Sequence, residues 1–127
     1  MGGETLRVLV VEDENLIRWA VGEALMADGH TVIEAADAAS ARHLAQEASE
    51  PFNVIVLDFR LPDSSDFQLL QDLKTCSPSS AVVMMTACGD PALTAAALGL
   101  GACCVLDKPF DLAALTARVR ELSAVAA

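Results

Sequence analysis

The chain is 127 residues long, 54% hydrophobic, and carries a net charge of −10. That length suits one domain with a full core, and the acidic balance excludes an unaided grip on nucleic acid or anionic membrane. No apolar run approaches the roughly 18 to 20 residues of a membrane span, and Met1 to Arg7 lacks the basic start and apolar stretch of an export signal, so a cytoplasmic protein is expected.

Leu6 to Val11 (LRVLVV) is an apolar run ending in charge, the pattern of a strand buried on both faces. Leu16, Ile17, Ala20, Val21, Ala24 and Leu25 then recur at helical spacing, with Arg18, Trp19 and Glu23 off that face. Asp28-Gly29 ends this helix, and Thr31 to Ala35 follows as a strand. Ala38 to Ala48 is an alanine-rich helix closed by Pro51, and Phe52 to Leu57 (FNVIVL) is a third buried strand. Asp58 to Ser65 is a loop containing Pro62, and a helix from about Asp66 places Phe67, Leu70 and Leu73 on one face.

Ala81 to Met85 (AVVMM) is the fourth strand. Asp90-Pro91 supplies a cap and a proline at the first helical position, for a helix that ends near Gly99 to Gly101. Cys103 to Leu106 is a short fifth strand, and Asp111 caps a last helix carrying Leu112, Leu115, Val119 and Leu122. Cys76, Cys88, Cys103 and Cys104 are spaced for neither a zinc site nor a redox pair, so reduced, partly buried thiols are expected. Strands alternating with helices predict a single doubly wound α/β domain, a parallel sheet covered on both faces, with its core from about Leu6 to Leu122. Such sheets carry their sites at the carboxyl ends of the strands, near the topological switch point.

Those ends hold Glu12-Asp13-Glu14, Asp58, Thr86 and Asp107-Lys108-Pro109. Singly, each has a plain reading: acids solvate loops or cap helices, threonine favours strands, and a lone lysine is a surface charge. Convergence at one sheet edge changes that. Three carboxylates, Glu12, Asp13 and Asp58, repel by about 4 kcal/mol per pair at about 4 Å and an effective dielectric of about 20. Lys108 supplies one positive charge, and a hard divalent cation supplies more. Magnesium suits the oxygen donors, with manganese the alternative. Asp58 is then the natural nucleophile toward phosphorus, already ionised and needing no base. Lys108 and the Thr86 hydroxyl stand ready for the charge on the phosphoryl oxygens.

Val-Val-Glu-Asp-Glu (10–14), Leu-Asp-Phe-Arg-Leu-Pro-Asp (57–63), Met-Thr-Ala (85–87) and Asp-Lys-Pro-Phe (107–110) occur in order at these ends. In this the chain resembles the receiver domains of two-component response regulators. The resemblance implies a (βα)5 fold with a five-stranded sheet in the flavodoxin-like order 2-1-3-4-5, and phosphorylation of Asp58 by a histidine kinase or phosphotransfer domain. It further implies metal ligation by Asp13, Asp58 and the backbone carbonyl of Arg60, with Glu12 acting through water, and a cis Lys108–Pro109 peptide. The fourth helix, fifth strand and fifth helix would meet a second copy or an output domain outside the chain, which is expected to control transcription. Within the family, the 58–63 and 106–111 segments resemble those of nitrogen-regulator-like activators.

Two positions depart from the family pattern. Val105 stands where relatives carry the aromatic ring that swings with the threonine, and Asp66 stands where glycine is common before the third helix; a Ser64-Ser65-Asp66 cap is the expected use. Trp19 lies on a helix surface that relatives use to meet the kinase, where it either projects as an anchor or folds back. A haloacid-dehalogenase-type phosphatase needs a second Asp two residues beyond the nucleophile, where Arg60 stands, and a flavin carrier needs a phosphate loop where Glu12-Asp13-Glu14 stands. The remaining alternative is a pseudo-receiver that binds partners without being phosphorylated.

Overall fold

A computed structural model describes residues 5–64, 66–87 and 89–126, the last four by their backbone alone. Strands and helices alternate as β1 (Arg7–Val11), α1 (Asn15–Ala27), β2 (Thr31–Ala35), α2 (Ala38–Glu47), β3 (Val54–Asp58), α3 (Gln68–Cys76), β4 (Ala81–Thr86), α4 (Pro91–Gly99), β5 (Ala102–Asp107) and α5 (Leu112–Ala126). The strands form one parallel sheet in the order β2-β1-β3-β4-β5. This is the flavodoxin-like order expected, with the switch point between β1 and β3.

Because successive side chains of a strand alternate in direction, each strand feeds two cores. On one face Leu9, Val11, Ile55, Leu57, Val82 and Met84 pack under α2 and α3 through Ala38, Ala41, Leu69, Leu70 and Leu73. On the other, Val8, Val10, Val54, Val56, Val83 and Met85 pack under α1 and α5 through Val21, Leu25, Leu115 and Val119. Each fully buried aliphatic side chain contributes about 1.5–3 kcal/mol. β3, central in the sheet, is buried at all five positions.

A register slip keeps the outer strand in phase with this alternation. Val82 pairs with Ala102 but Val83 pairs with Cys104, so Cys103 has no opposite residue in β4. The skip lets Cys104 and Leu106 join the α1/α5 face while Val105 joins the other. It also turns Cys103 outward. Cys103 and Cys76 are exposed rather than partly buried, Cys104 is half-buried, and Cys88 lies outside the described residues.

β1 and β5 start one residue from the sequence reading, at Arg7 and Ala102, and two further elements start two residues from it. Phe52 and Asn53 precede β3, because the Asn53 side chain accepts the Arg7 N–H at 2.8 Å and replaces a ladder bond there. α3 begins at Gln68, since Asp66 Oδ1 accepts the Gln68 N–H at 2.9 Å; Phe67 instead stacks against Phe59 with centroids 5.1 Å apart. The N-cap position is Phe67, whose side chain makes no capping bond, so Asp66 holds the first helical N–H from one residue before the cap rather than as the cap itself. Ser65 lies outside the described residues, and no described residue other than glycine has positive φ. No helix among the described residues is long and apolar enough to cross a membrane.

Candidate functional site

The ladder carries the site residues to one edge. β1 and β3 are neighbours in register, Val11 opposite Leu57, so the chain leaves them at the same level as Glu12 and Asp58. β3 and β4 pair Asp58 with Met85, and β4 and β5 pair Thr86 with Asp107. Four connections, those after β1, β3, β4 and β5, therefore open at one edge. Carboxylate oxygens of Glu12, Asp13 and Asp58 all lie within 4.8 Å of one another, with Glu12 and Asp58 buried and Asp13 exposed.

Glu12 is held on every side. Its N–H donates to the Ala35 carbonyl at 3.0 Å, its carbonyl accepts Arg18 Nη1 at 2.8 Å, and its Oε2 accepts the Glu14 N–H at 3.2 Å. Lys108 Nζ reaches across from the far side of the sheet, donating to Glu12 Oε1 at 2.7 Å and to Asp58 Oδ2 at 3.1 Å. The lysine is fixed in turn by its own N–H, which donates to the Thr86 carbonyl at 2.7 Å, and is followed by the expected cis peptide to Pro109. Burial, the largest influence on Lys108, pulls its pKa down. The hydrogen bond to Glu12 and the charge and hydrogen bond of Asp58 outweigh that and hold the ammonium above its ordinary 10.5.

Asp58 has two other neighbours of consequence. The Arg60 N–H approaches Oδ1 at 3.4 Å, and the Phe59 N–H is tied to the Met85 carbonyl at 2.9 Å, which sets where the chain turns out of β3. A cavity of about 330 Å³ opens over Asp58, lined also by Asp13, Arg60, Pro62, Ala87 and Lys108. Its floor is the nucleophile candidate and its wall the exposed carboxylate. With three carboxylates against one ammonium, the local formal charge is −2, and all the acidic donors are hard oxygens. That donor set fits a divalent cation such as magnesium.

The remaining sequence candidates fall around this point with different standing. Thr86 is buried at the end of β4. Val105 is half-buried and packs into the α2/α3 core, one strand away from the carboxylates. Arg60 is exposed on the cavity rim. Trp19 projects, 59% exposed, beside Leu16 at 75%.

Two contributors were not read from the sequence. Arg18 was placed only off the apolar stripe of α1, yet its guanidinium donates to the Glu12 carbonyl. Asp63, in the loop after β3, accepts the Ala38 and Ala39 N–H groups at 2.8 and 3.0 Å, pinning that loop to the start of α2. The Ala38 hydrogen bond is the main reason its carboxyl sits below the ordinary 3.8. The Asp63 bonds join segments distant in sequence, and the Arg18 bond, though it spans only six residues, ends on a backbone carbonyl, so side-chain periodicity announces neither.

The response regulator receiver domain model matches residues 8–120. The transcriptional regulatory protein FixJ of Azorhizobium caulinodans is 36% identical over 119 residues, 92% of this chain and 54% of its own length. The KDP operon transcriptional regulatory protein KdpE of Escherichia coli is 37% identical over 113 residues, 89% of this chain and 49% of its own. The chain thus spans about half the length of these curated relatives. Among solved structures, the BeF3-activated DrrB receiver domain superposes with a TM-score of 0.84 at 27% identity, covering 94% of this chain and 97% of that one. Fold, strand-end chemistry and these likenesses coincide over the same residues, and the chain belongs to the response regulator receiver domain family.

Proposed function

We propose that this receiver accepts a phosphoryl group on Asp58 from the phosphohistidine of a kinase or phosphotransfer domain. Asp58 Oδ forms the new O–P bond as the P–N bond of the donor breaks, and the departing imidazole keeps the electron pair. The observation that carries this reading is the packing of Glu12, Asp13 and Asp58 within 4.8 Å around a lysine that touches two of them. Asp13, Asp58 and the Arg60 carbonyl are the proposed metal ligands, with Glu12 holding water. Magnesium, or manganese in its place, would supply Lewis-acid charge stabilisation to the phosphoryl oxygens.

The chain's own residues do the rest. Lys108 is charged at every physiological pH and is positioned to leave its carboxylate partners for a phosphoryl oxygen. Thr86, at the end of the strand next to that of Asp58, offers a hydroxyl to another phosphoryl oxygen. Val105, packed into the core with no ring to swing, leaves the switch to Thr86 and to displacement of α4. The α4–β5–α5 face then meets a second copy or an output domain beyond this chain, with transcription the output that the names of the relatives favour. The kinase is proposed to dock on α1 at Leu16 and Trp19, beside an apolar cavity of about 450 Å³ lined by Ile17, Ala20, Pro109 and Phe110. Cytoplasmic location follows from that partner. A receiver fold that signals without phosphate is disfavoured, because Asp58 and Lys108 are both retained and in contact.

The test is incubation with magnesium and a small phosphodonor, read by intact mass. One added phosphoryl group is expected in the wild type, and none in Asp58→Asn or with the metal chelated. Labelling of Asp58→Asn to the wild-type extent refutes the assignment.

A further inference from the structure

The β1–α1 turn carries two of the three carboxylates, and its geometry is controlled from behind by a side chain outside the pocket. Arg18 uses its whole guanidinium: Nε donates to Glu34 Oε1 at 3.1 Å, Nη1 to the Glu12 carbonyl at 2.8 Å and Nη2 to Asn15 Oδ1 at 2.7 Å. Its side chain is only 17% exposed, unlike an ordinary surface arginine. The place for its partner is also prepared. A Cβ added at buried Gly22, one turn along α1, would stand 3.1 Å from Glu34 Oε2, so the absence of a side chain there leaves room for that carboxylate.

The oxygen that Arg18 holds belongs to the peptide joining Glu12 to Asp13. That peptide is planar, so fixing its oxygen fixes the direction in which the Asp13 backbone departs. Asp13 is exposed, and among the described residues no hydrogen bond anchors its carboxylate. Its place within 4.8 Å of Glu12 and Asp58, against their repulsion, therefore depends on its backbone.

We propose that Arg18, braced by Glu34 and Asn15, is a positioning residue that holds the Glu12–Asp13 peptide so that the Asp13 carboxylate faces Asp58 ready for a divalent cation. This rests on the metal-site reading above and goes beyond it. The role has a sign that separates it from simple charge. Removing a cation from beside a magnesium site should strengthen metal binding by Coulomb's law, whereas losing the brace should weaken it.

The experiment is calorimetric titration of the intact chain with magnesium chloride, for wild type, Arg18→Met and Arg18→Lys, with thermal unfolding to establish that each variant is folded. Methionine keeps the apolar stem; lysine keeps the charge but cannot reach three acceptors at once. Affinity is expected to fall about tenfold in Arg18→Met, in the range typical for lost partners of metal ligands. A smaller fall is expected in Arg18→Lys, where charge is unchanged and only geometry can account for it. Either folded variant binding magnesium as tightly as wild type, or more tightly, overturns the proposal. No magnesium binding by the wild type overturns instead the metal-site reading on which it rests.

Discussion

Replacing Lys108 by methionine isolates the electrostatics of the pocket. The ammonium lies 2.7 Å from Glu12 Oε1 and 3.1 Å from Asp58 Oδ2, with side-chain exposures of 16% for the lysine, 0% for the glutamate and 6% for the aspartate. At an effective dielectric of about 20, those contacts are worth about 6 and about 5 kcal/mol of attraction. Desolvation of the three groups offsets most of it, and removing one partner of such a buried set costs about 3–5 kcal/mol, because the remaining charges stay buried without compensation. In a chelator, Lys108→Met should lose about 3 kcal/mol, which for a domain of this size is roughly 10 °C in Tm. Magnesium should then stabilise the variant more than the wild type, since no ammonium competes for the carboxylates. At a hundredfold excess over Kd a ligand adds about 2.7 kcal/mol. The pH dependence has a definite sign. The Lys108 pKa is raised on folding, so its contribution is complete below 10.5 and fades as pH climbs through the higher folded value. Urea denaturation with and without magnesium measures all three effects. A variant within about 1 kcal/mol of wild type in chelator, or one that magnesium stabilises less than wild type, refutes the account.

Three further outcomes follow from named contacts. His30 is buried with Nδ1 accepting the Leu6 N–H at 3.1 Å, and burial chiefly pulls its pKa below 6.5, with Asp28 opposing and Arg120 assisting. Its contribution is therefore complete above pH 6.5 and lost as pH falls through the folded value, so urea midpoints between pH 7 and 5 should drop more steeply for wild type than for His30→Gln; parallel curves count against it. Asp63→Ala should lower stability at pH 7 by about 1 kcal/mol, as loss of a helix cap does. Its depressed pKa places that contribution above pH 3.8 and removes it on further acidification, so wild type and variant should converge in acid denaturation. Amide hydrogen exchange should find α4 the least protected of the helices, because Ala97 is its one buried side chain among the described residues, and protection there should change on phosphorylation.

The strands were legible because burial on both faces leaves almost no polar residue inside them, as in VIVLD and AVVMMT. Helix ends were legible where a local bond makes them: Asp90 Oδ1 accepts the Ala92 N–H, and Gly29 takes φ 92° after α1. What stayed hidden depends on polar bonds that apolar periodicity does not register, some of them between partners far along the chain. Glu12 and Lys108 are 96 residues apart, and their convergence could be expected only from the fold as a whole. Arg18 was read by periodicity, which asks whether a residue faces the apolar core and cannot say that a charged side chain reaches back to a carbonyl at the strand end. Asn53 displaced the start of β3 by a side-chain bond that mimics the ladder, and Asp66 did the same at α3.

Where a signal could leave this domain is a question of which element is held least. α1 buries Val21, Gly22 and Leu25, and α3 buries Leu69, Leu70 and Leu73, anchors worth several kcal/mol in each helix. α4 has Ala97 and no charged residue, so neither a large apolar anchor nor an ion pair fastens it to the sheet. It follows β4, whose last residue, Thr86, shares its carbonyl with the Lys108 N–H. A phosphoryl group on Asp58 that drew Thr86 and Lys108 inward would thus pull on both ends of a single hydrogen bond joining β4 to β5, immediately before a helix whose one fully buried side chain is Ala97. With valine at position 105, no ring need change places for that pull to be felt. α4 carries no charged residue, so within the α4–β5–α5 face proposed above it gives a strongly acidic molecule a stretch of contact free of like charge.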